Sequence, residues 1–379
     1  MSYLQREYVR ENVGMTLNDT YLLDLPKSGR LMSLLIRITG SQVSGYGQGE
    51  AAWRIIDKIS KLEVLGDGSE IIKSLTGYQV QALAFYDQGI TSPDKWRNYA
   101  TNMQQCYLLV NFGRWMGDVE MGLDLGRFSN VELRLTNTAT AASHFSDLTV
   151  SILGYYLREP GGVPYLGYIR SEEWRAWTTV QDETQYLELP TQLPIRRVML
   201  RAFPDLDTDF VDKTNLNNLM DDIEYSYKTG ALRVYKGGLD DLVVDNYLMH
   251  GKYALVGGAA YQLADDGIDI SLGQAYMHVG SAGSQDGAGA ATIATLETSR
   301  NGPALKSETY EADSPINVMA QGAAYHLTAL LRHDFDPNPA TWLNPGPSGM
   351  GNVLLNIHTR DSSSSANGNN SVVLERLVR

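Results

Sequence analysis

The sequence predicts an all-β chain made of two tandem strand-rich units, and three observations carry that expectation. The stretch LDLPKSGRLMSLLIRI, Leu23 to Ile38, returns in altered form as LELPTQLPIRRVMLRA, Leu187 to Ala202. Further matched segments follow both copies in the same order, which marks a repeat rather than a chance match. The 379 residues include 36 Gly and 22 Tyr with many short runs of alternating polarity, a composition suited to strands joined by tight turns.

Aligned without a gap, 164 positions apart, the copies place Asp24 over Glu188, Pro26 over Pro190, Leu34 over Val198, Ile36 over Leu200 and Arg37 over Arg201. Side chains alternate along an extended backbone. Met32, Leu34, Ile36 and Ile38 are therefore expected on the inner face, with Ser33 and Arg37 on the outer one. In the second copy Val198, Leu200 and Ala202 take the inner face, and Arg197 and Arg201 the outer.

The same offset places Ile59 over Ile223 and Gly66 over Gly230, each glycine in a turn between two short strands: KLEVL and EIIKSL, then YSYKT and LRVYKG. A helix is expected after each hairpin. In the second unit Leu239, Leu242, Val243, Asn246 and Tyr247 follow helical spacing; in the first, Val80, Leu83 and Ala84 make a shorter stripe after a Thr76 to Gln79 capping box.

The closing strands repeat at a larger offset, 222, with Val131, Leu133 and Leu135 over Val353, Leu355 and Ile357. The second unit thus holds 58 more residues, most of them within an insertion at 251–315 that reads as a protruding system of hairpins. The expected division is 1–160 and 161–379, with the boundary in Glu159-Pro160-Gly161-Gly162-Val163-Pro164. Both units end in a polar loop and an apolar strand closing on arginine, although SVVLERLVR alternates poorly after Leu374.

Between these landmarks, residues 1–14 are expected to form a short helix carrying Tyr3, Leu4 and Tyr8 on one surface. Residues 39–54 read as an exposed loop, DKWRNYATNM at 94–103 as a further helical turn or two, and Cys106 to Val110 and Met116 to Leu123 as strands. Asp334 to Gly351 is a proline-rich loop, and 362–370 a flexible connection.

The formal net charge of -13 argues against direct nucleic-acid binding, which needs a basic surface. No apolar run approaches the length of a bilayer-spanning helix, and MSYLQREYVREN is too polar for a secretory signal. A single cysteine, Cys106, excludes an intrachain disulfide and fits folding in a reducing compartment.

Catalytic and ligand chemistry finds little support. The six histidines, His144, His250, His278, His326, His333 and His358, lack the spacing of a metal set. Asp205, Asp207 and Asp209 resemble the start of a calcium loop, but Phe210 and Leu216 stand where glycine and glutamate are required. Gly280 to Gly289 has no Gly-Lys-Ser/Thr step for a phosphate. No G-x-S-x-G elbow is present, and carboxylate pairs such as Glu63 with Glu120 read as solvated strand faces rather than a glycosidase pair.

The duplicated order resembles the double jelly-roll major capsid proteins of tailless icosahedral, bacteriophage-like viruses, over nearly the whole chain. The residues carrying the resemblance are the two copies at 23–38 and 187–202, the run EVLGDGSEIIKSLTGYQVQALAFYD, and the strands NVELRL and NVLLNI. It implies two tandem eight-stranded jelly-roll β-sandwiches with short helices in strand connections. It also implies a structural, non-enzymatic protein without cofactor, whose homotrimer presents six barrels and tiles a virion shell as a pseudo-hexagonal capsomer. Partners would be neighbouring trimers, penton and minor capsid proteins, and an internal membrane met by the N-terminal arm, with no direct nucleic acid and with assembly in the host cytoplasm. Two alternatives share the sandwich architecture: a carbohydrate- or receptor-binding spike, with a saturable sugar site, and a two-domain glycosidase, dependent on one carboxylate pair.

Overall fold

The computed structural model describes residues 2–42, 55–98, 103–140, 145–203, 220–228, 230–251, 253–261, 268–271, 283–284, 293–299, 302–308, 315–322, 324–344, 351–360 and 368–379. The first half comprises β1 (Tyr3–Met15), β2 (Thr20–Asp24), β3 (Arg30–Gln42), α1 (Ile55–Lys58), β4 (Ile59–Gly66), β5 (Glu70–Leu75), α2 (Gly77–Gln88), β6 (Lys95–Asn98), β7 (Met103–Asn111), β8 (Leu123–Asp124), β9 (Val131–Asn137) and β10 (Phe145–Arg158). The second half begins with β11 (Tyr168–Thr178), β12 (Thr184–Leu189), β13 (Ile195–Phe203), β14 (Asp222–Tyr227), β15 (Leu232–Gly238) and α3 (Leu239–His250). After β16 (Tyr253–Tyr261), β17 (Ile268–Ser271), β18 (Gly283–Ser284), β19 (Ile293–Ser299), β20 (Gly302–Glu308) and β21 (Pro315–Gly322), it closes with β22 (Thr328–Arg332), β23 (Val353–His358) and β24 (Asn369–Val378).

Strand order repeats between the halves. The first has β1-β10-β3-β7-β6 facing β2-β9-β4-β5; the second has β11-β24-β13-β22 and β12-β23-β14-β15. Apart from the β4–β5, β6–β7 and β14–β15 hairpins, successive members of these sheets alternate between the two layers, which is jelly-roll topology. A parallel pairing of β5 with β11 at Lys73–Ser171 and Ser74–Glu172 fuses one layer of each half into a continuous eight-stranded sheet. Residues of the expected insertion, together with β21, which runs past its expected end at 315, form two three-stranded sheets of their own, β16-β21-β18 and β17-β20-β19.

Alternation explains the two interiors. Leu34, Ile36 and Ile38 of β3 and Leu133 and Leu135 of β9 are fully buried in one apolar cluster; Val198, Leu200, Leu355 and Ile357 are fully buried in the other. The clusters are not independent. Met199, Leu330 and Val373, all from the second half, belong to the first cluster.

Pairing registers revise the repeat alignment beyond β3. Leu62 pairs with Leu135 and Ile223 with Ile357, so Ile223 answers to Leu62 rather than to Ile59. The helices align through their C-caps: the amide of Gly89 donates to Phe85 O and that of Gly251 to Tyr247 O, both glycines having positive φ, 68° and 76°. The Thr76–Gln79 capping box opens α2 as expected. On α3 Leu239, Leu242, Val243 and Asn246 are buried.

Several expectations are overturned. Residues 3–15 are a strand, not a helix: β1 pairs with β10 at the margin of its sheet, where exposure on both faces leaves Tyr3, Leu4 and Tyr8 with no period of two to announce a strand. Register shifts after Tyr8 and after Arg10 scramble the alternation further. Lys95–Asn98 is the strand β6, not a helical turn. Of Met116 to Leu123 only Met121 makes a bridge, to Gly167, and Leu123 begins the short β8. Ser33 is buried, donating to Asn111 Oδ1 at 2.9 Å. Arg197 and Arg201, assigned to an outer face, are buried because that face is covered by the first half of the chain.

Candidate functional site

The feature that most distinguishes this molecule is the join between its two halves, built around α2. A helix on a protein surface buries one stripe, but α2 is buried at Gly77 through Leu83 and at Phe85 and Tyr86. Its apolar residues extend the first core, while its polar ones reach across. Tyr86 Oη donates to Thr328 O at 2.9 Å, and Gln79 Nε2 donates to Ser371 Oγ at 3.0 Å. Tyr78 lies under the Arg201 guanidinium, 4.7 Å from ring centroid to Cζ.

At the C-terminal end of α2 sits a buried ionic cluster. A register shift between Ile195 and Arg197 lets neighbouring arginines converge on the same carboxylates. Arg196 donates through Nε to Asp334 Oδ2 at 2.9 Å, through Nη2 to Asp87 Oδ1 at 3.0 Å and through Nη1 to Glu375 Oε2 at 3.3 Å. Arg197 donates to Asp334 Oδ2 at 2.8 Å and to Asp87 Oδ1 at 2.6 Å. Arg332 completes the set through Asp334 Oδ1 at 3.0 Å, so three guanidinium groups meet three carboxylates. Burial alone would push the Asp334 carboxyl up, but Arg197, Arg196 and Arg332 more than offset it and hold it well below the usual carboxylate range.

The cluster is tied into the first half on two further sides. Asn111 Nδ2 donates to Asp87 Oδ2 at 3.1 Å. Lys73 Nζ donates to Ser171 Oγ at 2.8 Å, and Ser171 Oγ to Glu375 Oε1 at 3.0 Å, beside the β5–β11 pairing. Desolvation lowers the Lys73 pKa to about 8 despite the pull of Glu375 and Asp87. A separate contact runs through Arg114, which holds Asp118 at 2.7 Å and Glu120 at 2.6 Å and donates to Pro337 O at 2.9 Å. Such charges are costly to bury and tolerable only when all are bonded, which restricts the halves to one relative placement.

The residues singled out by sequence do not converge. Glu63 lies on β4 with Lys61 at 2.8 Å, and Glu120 in the loop after β7 with Arg114. His358 pairs with Thr184 at 3.2 Å, His326 Nε2 with Gln81 Oε1 at 2.8 Å, His333 Nε2 with Tyr225 Oη at 2.9 Å and His250 Nε2 with Arg332 Nη1 at 3.2 Å. His144, His278, Asp205, Asp207 and Asp209 lie outside the described residues, as does most of 280–289. Among the described residues no group of three or more His, Cys, Asp or Glu is placed to hold a metal ion, and no helix is long and apolar enough to cross a membrane. Asp87, Arg196, Asp334 and Glu375 were missed. For Arg196 and Glu375 the signal is charge inside otherwise apolar strands, PIRRVML and SVVLERLVR, whereas Asp87 stands on α2 and Asp334 in the loop after β22.

No family model matches the sequence, and no curated protein matches it. Solved structures do resemble it in fold. The major capsid protein of Sulfolobus turreted icosahedral virus superposes with a TM-score of 0.59 at 10% identity, covering 99% of this chain and 97% of that one. The major capsid protein P2 of bacteriophage PM2 gives 0.51 at 9% identity, covering 100% and 98%. A chain of the PBCV-1 virus capsid gives 0.54 at 10% identity, covering 99% and 93%. The fold is thus that of the double jelly-roll major capsid proteins, two β-sandwiches in tandem across the whole chain.

Proposed function

We propose that this chain is the major structural protein of an icosahedral virion shell, acting as a homotrimeric, pseudo-hexagonal capsomer. The observation that carries the reading is the join: two sandwiches of matching core strand order are locked in one placement by α2, a shared sheet and a buried ionic cluster. A rigid two-lobed block suits tiling, because three copies supply six similar lobes. The likeness in fold to capsid proteins supports the same reading.

Its partners are further copies of itself, neighbouring trimers, and the penton and minor proteins that close such a shell. The N-terminal residues form β1 at the margin of its sheet, which leaves Tyr3, Leu4 and Tyr8 exposed to meet a neighbouring protein or an internal membrane. The chain belongs to the virion, after assembly in the host cytoplasm, and has a structural rather than an enzymatic role. The test is electron microscopy and mass measurement of the purified protein. A particle of three times the 41.9 kDa chain mass, forming hexagonal arrays, is expected; a monomer at every concentration would overturn the reading.

A further inference from the structure

We infer that the interior of the second half encloses a bound water, held by Asn370 and Trp177 at the end of the sandwich that carries the insertion. The first half has an apolar counterpart to this site. There Ile38 of β3 pairs with Val150 of β10, and Val150 with Val13 of β1. Ile38 and Val150 are fully buried in the first core. The matching row of the second half is Ala202 of β13, Asn370 of β24 and Trp177 of β11. A carboxamide thus stands where its counterpart is a core valine.

Asn370 is turned into the sandwich. It is 1% exposed, and Val372 and Leu374, which follow it on the same face of β24, belong to the second core. Trp177 packs against that core from the neighbouring strand. Arg201, next to Ala202, pairs with Thr328 where β22 begins after the insertion, which places the row at that end of the sheet. Among the described residues no group bonds Asn370 Oδ1, Asn370 Nδ2 or Trp177 Nε1, although all three atoms are buried. The backbone around them is committed to the β11–β24 and β24–β13 ladders. Polar atoms buried without partners cost more than an ordinary hydrogen bond returns, so a row of this kind calls for a guest.

The mixture of donors and acceptor selects that guest. Two N–H donors exclude a bare cation, and the amide oxygen beside them repels an anion. A water molecule satisfies all three atoms, accepting from the indole and amide N–H groups and donating to Oδ1, within the ~2 to 4 bonds that a buried water makes. Residues paired across neighbouring strands hold their Cβ atoms about 5 Å apart, a separation one water can bridge. Room comes from Ala202, whose side chain is several carbons shorter than that of Ile38. Val150 needs no such guest, so the two interiors, alike in strand order, differ in hydration.

The experiment uses the full chain, with water itself as the probe. A high-resolution crystal structure should show an ordered water within hydrogen-bonding reach of Asn370 and Trp177. Relaxation dispersion of the water-oxygen nucleus should count one fewer long-lived water per chain in Asn370→Val than in wild type. That variant should fold, because valine is the residue its counterpart carries. It also strands the indole N–H, so it should lower the melting temperature, and adding Trp177→Phe should recover most of the loss. A crystal structure in which Asn370 bonds a protein group directly overturns the inference. So does a pair of variants whose effects on melting simply add while the count of long-lived waters stays the same.

Discussion

The Asp87 carboxylate on α2 and the Arg197 guanidinium on β13 lie 2.6 Å apart across the join between the two halves, with both side chains about 4% exposed. Arg196 shares the same carboxylate oxygen. Replacing Asp87 with alanine would leave two buried cations short of a partner. The cost expected is about 3 to 5 kcal/mol, because removing one member of a buried ion pair strands the others. Urea unfolding of the purified protein measures it, and a loss under about 1 kcal/mol would show that the cluster is readily hydrated.

Leu34 and Leu355 are both fully buried, one in each interior. Aspartate at either position places an unpaired charge in an apolar core, so soluble protein should be lost in both cases. The milder Leu355→Ala should cost about 2 to 5 kcal/mol, read from the shift in denaturant midpoint.

Lys73 offers a prediction with the opposite sign. Its folded pKa of about 8 lies below the ordinary lysine value of 10.5, so below pH 8 both states hold the proton and the cost of burying the charge is complete. Between pH 8 and 10.5 the unfolded chain holds more protons, and this group's contribution to stability rises with pH. Lys73→Met should therefore stabilise the protein at pH 7 by about 1 to 3 kcal/mol. The gain should shrink as the pH is raised through that window, which thermal melts at a series of pH values would follow.

Acid should act through His333 and His250. Desolvation lowers both to about 4 from 6.5, with Arg332 adding to the effect on His250. As the pH falls from 6.5 towards 4 the unfolded chain takes up protons that the folded one refuses, so stability declines across that interval. His333→Gln should flatten the decline relative to wild type in melts between pH 4 and 7. An unchanged slope would place the acid sensitivity elsewhere.

Strand period and turn chemistry made much of this fold legible. Leu133 with Leu355 announced matching interiors because each lies on a strand with one buried and one half-buried, largely polar face, whereas Leu34 with Val198 was carried by the repeated sequence around them. The reading failed wherever a strand had two buried faces or none. In β24 both Leu374 and Glu375 are buried, since one faces the second core and the other the join, so alternation vanished. At the start of β1 both faces are exposed, and three aromatic or apolar residues, Tyr3, Leu4 and Tyr8, mimicked a helix. The join was invisible for a related reason: Arg197 reads as a solvated residue until the first half of the chain is known to cover it. Gapless alignment also could not detect the slip that matches Ile223 to Leu62.

Met199, Leu330 and Val373 complete an interior whose other members all precede residue 169, apart from Tyr325. A nascent chain that has just emerged through β10 therefore holds a core still open on one side, and it must wait for roughly the remaining length of the polypeptide before Val373 arrives. The half-molecules should not persist as separate folded bodies, and a nick or premature stop in the second half should destabilise the first. In the shell proposed above, such coupling would guard against incorporating truncated subunits, since an incomplete copy would lack a finished interior before it ever met a neighbour.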